Sequence, residues 1–198
     1  MTNSLPYTFD NGHGEVISFH EILPEEAGNR LFFTTCIQPN CGPEMHVHYK
    51  QDECYEVIQG IMSFQTPDNQ VVNLSAGMSV TFLRNQPHKF WNSGSDELLM
   101  CGWMFPANNA PFYLLTLYTA FRGRKKPVPN AFDAAYLIIK YQSEYAWTDL
   151  PESVRNVIIP TTYFSNFLYF PNNLPKKYVV GMITFRTDSG RSVQAYSD

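Results

Sequence analysis

The 198-residue sequence carries no excess of basic charge: 18 Asp and Glu stand against 14 Lys and Arg, a net charge of −4. A mildly acidic chain gives no general electrostatic case for nucleic acid, so none is expected as a partner. No apolar run approaches the roughly eighteen residues that span a bilayer, so stable membrane insertion is not expected. Residues 1–6 show no basic stretch leading into an apolar core, and a cytoplasmic protein is the expectation. The four cysteines, at 36, 41, 54 and 101, form no CxxC pair and no regular framework. They read as reduced thiols in or near a core. No nucleophile elbow, phosphate loop or dinucleotide fingerprint is present, which removes the common hydrolase, phosphoryl-transfer and nicotinamide classes. There is no internal repeat and no low-complexity tract.

What is present in the first half is β pattern. Residues 15–20 and 31–37 are rich in aromatic and β-branched types. Turn signals stand at Pro24 with Gly28-Asn29, between the two runs, and at Pro39 to Pro43, after the second. Further short runs at 61–65, 70–74, 78–82, 88–92 and 97–104 continue the rhythm, with Gly60 placed as a hairpin glycine. Closely spaced short strands predict an antiparallel sandwich or barrel. His13 and His20, in the first stretch, read as structural or surface histidines.

After Pro106 the composition shifts. Residues 110–121 predict a helix with Asn109 as cap and Pro111 in its first turn, ended by Gly123. A second helix begins after Pro129 with Asn130 as cap, and Phe132, Ala135, Tyr136 and Ile139 are spaced to form its apolar face. A third starts at Asp149 to Glu152, in a capping-box arrangement. Pro160 interrupts that pattern before an aromatic stretch at 163–170, and residues 178–185 read as a final strand or ordered tail. The basic cluster Arg122-Gly123-Arg124-Lys125-Lys126 reads as a solvated loop between two helices. The boundaries expected are 1–106 for a β unit and 107–198 for a helical extension packed on it.

The chemistry concentrates in His46-Val47-His48, Glu53 and His88. Alternation along a strand points His46 and His48 the same way, and the turn before Glu53 brings a carboxylate back beside them. Three imidazoles and a carboxylate suit a divalent transition metal better than calcium or magnesium. Four protein ligands leave two positions open on an octahedral ion. Alternation also turns Cys54 away from the side that Glu53 occupies, which argues against a zinc site built from Cys41, Cys54 and the histidines.

The spacing resembles the two sequence motifs of the cupin superfamily. His46, His48, Glu53 and Gly60 fall on the first motif, and Gly77, His88 and Asn92 on the second. Two positions depart from it. Three residues rather than five separate Gly42 from His46, so the first strand begins differently or that glycine is not equivalent, and the P-x-G of the second motif reads Leu83-Arg84-Asn85. Asn tolerates a left-handed backbone better than other non-glycine residues, so Asn85 can hold that turn. The resemblance covers residues 42–104. It implies a mainly β fold, a single cupin-type antiparallel β-barrel (a double-stranded β-helix or jelly roll), here with a C-terminal helical extension. It also implies one divalent transition metal ion (iron, manganese, nickel or zinc) held by His46, His48, Glu53 and His88, and a homodimer. Thiol-oxidising cupins typically lack the motif glutamate, so its retention points away from that chemistry.

If Glu53 faces inward, Tyr55 and Val57 share its side, and Tyr55 is the candidate catalytic residue as hydrogen-bond donor or proton carrier. Phe90 and Asn92 share parity with His88, and either Trp103 or Met104 closes the wall. The function expected is a metal-dependent enzyme of oxygenase or isomerase type acting on a small polar molecule. The alternative is a non-catalytic module that binds or senses a small ligand.

Overall fold

The structure is a computed structural model that describes residues 5–68, 70–169, 183–186 and 192–195. Ten strands fill the first half: β1 (Tyr7–Asp10), β2 (Glu15–Glu25), β3 (Gly28–Ile37), β4 (His46–His48), β5 (Asp52–Gln59), β6 (Ile61–Gln65), β7 (Val71–Ser75), β8 (Ser79–Phe82), β9 (Lys89–Asn92) and β10 (Leu98–Phe105). Their alternation is visible in burial. On β3 Leu31, Phe33, Thr35 and Ile37 are buried, while the residues between them are half-buried. On β5 Glu53, Tyr55 and Val57 turn inward and Glu56 and Ile58 outward. The period of two thus places each side chain before any contact is considered.

Six strands pair in the order β1-β2-β3-β10-β5-β8, and three in the order β7-β6-β9. The inner faces share one core, in which Phe19, Phe33, Phe82, Leu31, Met62, Leu98 and Met100 are among the fully buried side chains. Phe64 meets Phe82 edge-on at 5.4 Å, and Tyr55 tilts over Phe90 at 4.7 Å, so rings join the two sheets. The expected barrel is corrected here: among the described residues nine of these ten strands form two facing sheets, β4 lying in neither, and they do not close into one hydrogen-bonded ring. Gly60 is accordingly a corner and not a hairpin turn, since β5 lies in one sheet and β6 in the other. It adopts φ +91°, and a Cβ there would lie 2.9 Å from both the Glu97 carbonyl oxygen and the Leu98 Cα.

Beyond the strands, α1 (Ala110–Phe121) and α2 (Ala131–Lys140) form where the caps predict them. Asn130 does cap α2, its side chain accepting from the Asp133 N–H at 2.9 Å. Asn109 makes no cap bond: its amide donates to Glu144 Oε1 at 2.7 Å instead. The buried face of α2 is rotated from the one expected. Asp133, Ala135 and Leu137 are buried, and Phe132 is 47% exposed. Residues 107–169 also supply a strand that the sequence pattern did not reveal, β11 (Tyr145–Trp147), which pairs with β4. Pro160 does not break the last helix, because a wider π-helical turn, Val154–Ile158, precedes α3 (Ile159–Tyr169). Of the tail expected at 178–185, the first five residues lie outside the described ones; Ile183–Arg186 (β12) pairs with Ser192–Ala195 (β13). No helix among the described residues is long and apolar enough to cross a membrane.

Candidate metal centre

β4 is three residues long, yet it is tied on both edges. On one side Tyr145 pairs with His48 and Trp147 with His46. On the other, His46 and His88 exchange two backbone hydrogen bonds, at 3.0 and 2.9 Å. Asn85 holds the turn before His88 at φ +66°, and its N–H donates to the His48 carbonyl at 2.7 Å. Gly42 has its own reason to be glycine: a Cβ there would collide with the Phe90 carbonyl oxygen and lie 2.7 Å from Trp91 Cα. The loop before β4 therefore rests directly on the β9 backbone.

These ties gather His46, His48, Glu53 and His88, each offering one ligand atom, and the four atoms all lie within 4.8 Å of one another. His48, Glu53 and His88 are buried, at 4%, 2% and 1% exposure. The His88 ring lies flat on Phe82, centroids 3.9 Å apart and planes 2° from parallel. His88 Nδ1 donates to the Gln86 carbonyl at 2.9 Å and His46 Nδ1 to the Glu44 carbonyl at 2.7 Å. A carbonyl oxygen only accepts, so in both rings the proton sits on Nδ1 and a neutral ring keeps a bare lone pair on Nε2.

That assignment makes the contact between His88 Nε2 and Glu53 Oε2, at 3.2 Å, informative. Two acceptors face each other there unless the ring gains a second proton or a cation lies between them. His48 Nδ1 is also buried with no hydrogen-bond partner. Burial is the largest influence on His46 and His48 and, with the positive charge of neighbouring imidazoles, lowers them to about 3 and about 4. Both rings are neutral at pH 7, the form in which imidazole binds metals. Burial alone would raise Glu53, but His48, His88 and His46 outweigh it and hold the carboxyl at about 2. Neutral His46 and His48, an ionised Glu53 and the His88 ring beside it are a donor set that fits a divalent transition ion.

Tyr55 Oη donates to the other Glu53 oxygen, Oε1, at 2.8 Å. Burial first, then the Glu53 charge, pushes the Tyr55 phenol well above its ordinary value. Asn92 shares the inward parity of His88 but organises its own loop, donating to the Ile37 and Asp96 carbonyls at 2.8 Å each. Met104 faces in at 3% exposure, whereas Trp103 faces out beneath the Arg30 guanidinium, 4.3 Å from the ring centroid. Cys54 is half-buried opposite Trp103, and neither it nor Cys41 joins the cluster. His13 Nε2 contacts the Phe121 carbonyl at 3.2 Å and His20 Nε2 the Thr34 hydroxyl at 2.8 Å, both away from the cluster. Arg124, Lys125 and Lys126 are exposed in the loop between α1 and α2.

A cavity of about 370 Å³ borders His46, His48 and Glu53. Its walls are mostly apolar: Ile17 and Ile37 from the six-stranded sheet, Leu114, Leu117 and Phe121 from α1, and Trp147 from β11. Among the polar lining residues that escaped the sequence reading are Glu15 and Tyr118. The signal available for Glu15 was its parity, since it shares a strand face with Ile17 and Phe19.

A family model described as "Cupin domain" matches residues 33–104. No curated protein matches the chain. Among solved structures, an uncharacterized conserved protein with a double-stranded beta-helix domain from Klebsiella pneumoniae subsp. pneumoniae MGH 78578 is 22% identical, with a TM-score of 0.39, over 44% of this chain and 76% of that one. KdgF from Halomonas sp. is 15% identical, with a TM-score of 0.43, over 53% of this chain and 92% of that one. The polyketide cyclase RemF from Streptomyces resistomycificus is 16% identical, with a TM-score of 0.41, over 48% and 68%. The two motifs, the inward parity of the residues they name and the matching family model agree on one assignment: residues 33–104 carry a cupin domain.

Proposed function

We propose that this protein is a metal-dependent enzyme of the cupin superfamily, acting on a small molecule with a largely apolar body. The observation that carries the reading is the convergence of four ligand atoms, from His46, His48, Glu53 and His88, within 4.8 Å of one another, the His46 and His88 rings oriented by backbone carbonyls. His46, His48, Glu53 and His88 would hold the ion. A bound divalent transition metal (iron, manganese, nickel or zinc) supplies Lewis-acid polarisation of a substrate oxygen and, for the redox-active ions, electron-transfer chemistry.

The chain's own residues do the rest. The Glu44 and Gln86 carbonyls hold His46 and His88 with Nε2 free. Phe82 fixes the plane of His88. Tyr55 takes a positioning role in this reading, its one proton already given to Glu53 Oε1. The apolar walls exclude water and select the ligand body. Residues 1–106 form the cupin unit, and 107–198 the extension whose α1 and β11 complete the cavity.

Metal content by plasma mass spectrometry tests this on protein purified without tag or chelator, beside a His46→Ala/His48→Ala variant. The expected result is ~1 equivalent of transition metal per chain, lost in the variant. Oxygen-uptake and isomerisation screens on the loaded protein then separate an enzyme from a binding module. Absence of metal in both proteins after anaerobic reconstitution with iron, manganese, nickel and zinc refutes the reading.

A further inference from the structure

Glu15 enters the cavity from a segment that neither metal motif covers. It opens β2 on the same face as Ile17 and Phe19, which are 4% and 0% exposed. An acid in phase with two core residues is drawn inward, and Glu15, half-buried, meets α1 there. Tyr118 Oη donates to Glu15 Oε2 at 3.3 Å, joining positions 103 residues apart. Asn11, fully buried, flanks the same carboxylate, and its side chain also pulls on it. His13 lies close enough for its charge to act on the carboxylate.

The same cavity therefore holds two carboxylate–phenol pairs, Glu53 with Tyr55 and Glu15 with Tyr118. Each phenol feels both carboxylates, so the pairs flank a common space. Only the first pair belongs to the metal cluster. A carboxylate offers about four lone-pair sites, and the neighbouring donors Tyr118 and Asn11 leave acceptor capacity on Glu15 in a cavity with largely apolar walls. Polar groups set among apolar walls orient a ligand.

We propose that Glu15, held by Tyr118, is a second ligand-binding station that accepts a hydrogen bond from a hydroxyl or ammonium group on a mostly apolar molecule. The opposite end of that molecule meets the His46, His48, Glu53 and His88 cluster. The ligand class is thus an aromatic or aliphatic body with a hydrogen-bond donor remote from its reacting end. This inference deepens the proposed function and rests on it for the second end of the ligand, while the station itself is testable without metal.

The test measures binding of 2-naphthol and its methyl ether 2-methoxynaphthalene, which lacks the donor and adds one methyl group. Full-length protein is used after chelator treatment and again after metal reconstitution. Wild type is expected to prefer 2-naphthol by about tenfold in both states, the lower end of what a hydrogen bond to a charged group contributes. Glu15→Leu should abolish the preference while metal stoichiometry and binding of 2-methoxynaphthalene persist. Glu15→Gln keeps an acceptor oxygen and should give an intermediate preference, which covers a failure of the Leu variant to fold. Tyr118→Phe removes a competing donor and should preserve the preference. Equal affinity for the two probes in wild type, binding of neither, or a preference that survives Glu15→Leu overturns the station. A preference that depends on Glu15 in a protein that takes up no metal upholds the station and refutes only the metal reading.

Discussion

Tyr55→Phe isolates one atom of the candidate centre. Phenylalanine keeps the ring, and with it the edge contact to Phe33 at 5.5 Å and the tilted contact to Phe90 at 4.7 Å. What disappears is the hydroxyl that donates to Glu53 Oε1 at 2.8 Å. A hydrogen bond to an ionised, buried carboxylate contributes about 1.5–3 kcal/mol, which sets the upper bound on the effect. The bond exists before any metal binds, so part of its loss weakens apo and loaded protein alike and cancels from the affinity. The remainder is the orientation of Glu53, and outer partners of metal ligands typically contribute about 10–100-fold. The expected result is a loss of about tenfold in affinity for zinc or manganese, measured by competition with a chromophoric chelator at neutral pH. The metal-free variant should also melt at lower temperature, because Oε1 is left buried without its donor. An affinity within twofold of wild type, with an unchanged melting temperature, would refute the view that Tyr55 positions Glu53.

Three further perturbations probe the frame around the centre. Gly102→Ala places a Cβ against the Cys54 carbonyl oxygen and 2.9 Å from the Phe33 ring, so urea unfolding should show a loss of about 1–3 kcal/mol. Glu144 is 4% exposed and accepts from Gln51 Nε2 and from both the backbone N–H and side-chain amide of Asn109. Glu144→Ala strands those donors and loosens β11 from β4, so chelator competition should show weaker metal binding although no ligand is changed; unaltered affinity would disconnect the extension from the centre. Burial raises the Glu15 carboxyl, against the opposing pull of Tyr118, Asn11 and His13. A raised folded value means that Glu15 costs most stability once pH rises through that value, and nothing below the unfolded carboxyl near ~4.3. Glu15→Gln should therefore raise the melting temperature relative to wild type at pH 8, with the gain vanishing toward pH 4. A constant difference across that range would remove burial of the charge as its cause.

Local rules carried the sequence reading far where the physics is local. A strand repeats every two residues, so the inward set Glu53, Tyr55 and Val57 and the outward Cys54 follow from order alone. A left-handed turn restricts residue type, so Asn85 was recognisable as a substitute for glycine before its φ of +66° was known. Caps are equally local, and Asn130 caps α2 as its position dictates. The same rules failed where a distant partner competed. The Asn109 amide is drawn to a buried Glu144 35 residues later, and α2 turns Asp133 and Leu137 inward because the surface it packs on, not its own apolar spacing, selects the face. The ring was expected to close, but the chain turns a corner at Gly60 and leaves two facing sheets.

The sequence by itself determined the cupin motifs, the four clustered residues and the strand faces that carry them, since each depends on spacing within a few residues. Only the tertiary structure decided the cavity. Its walls join the sheet to α1 and β11, and its second acid–phenol pair joins Glu15 to Tyr118 across 103 positions. A short-range pattern cannot encode such a contact, because nothing in either segment marks the other until both are packed against one core.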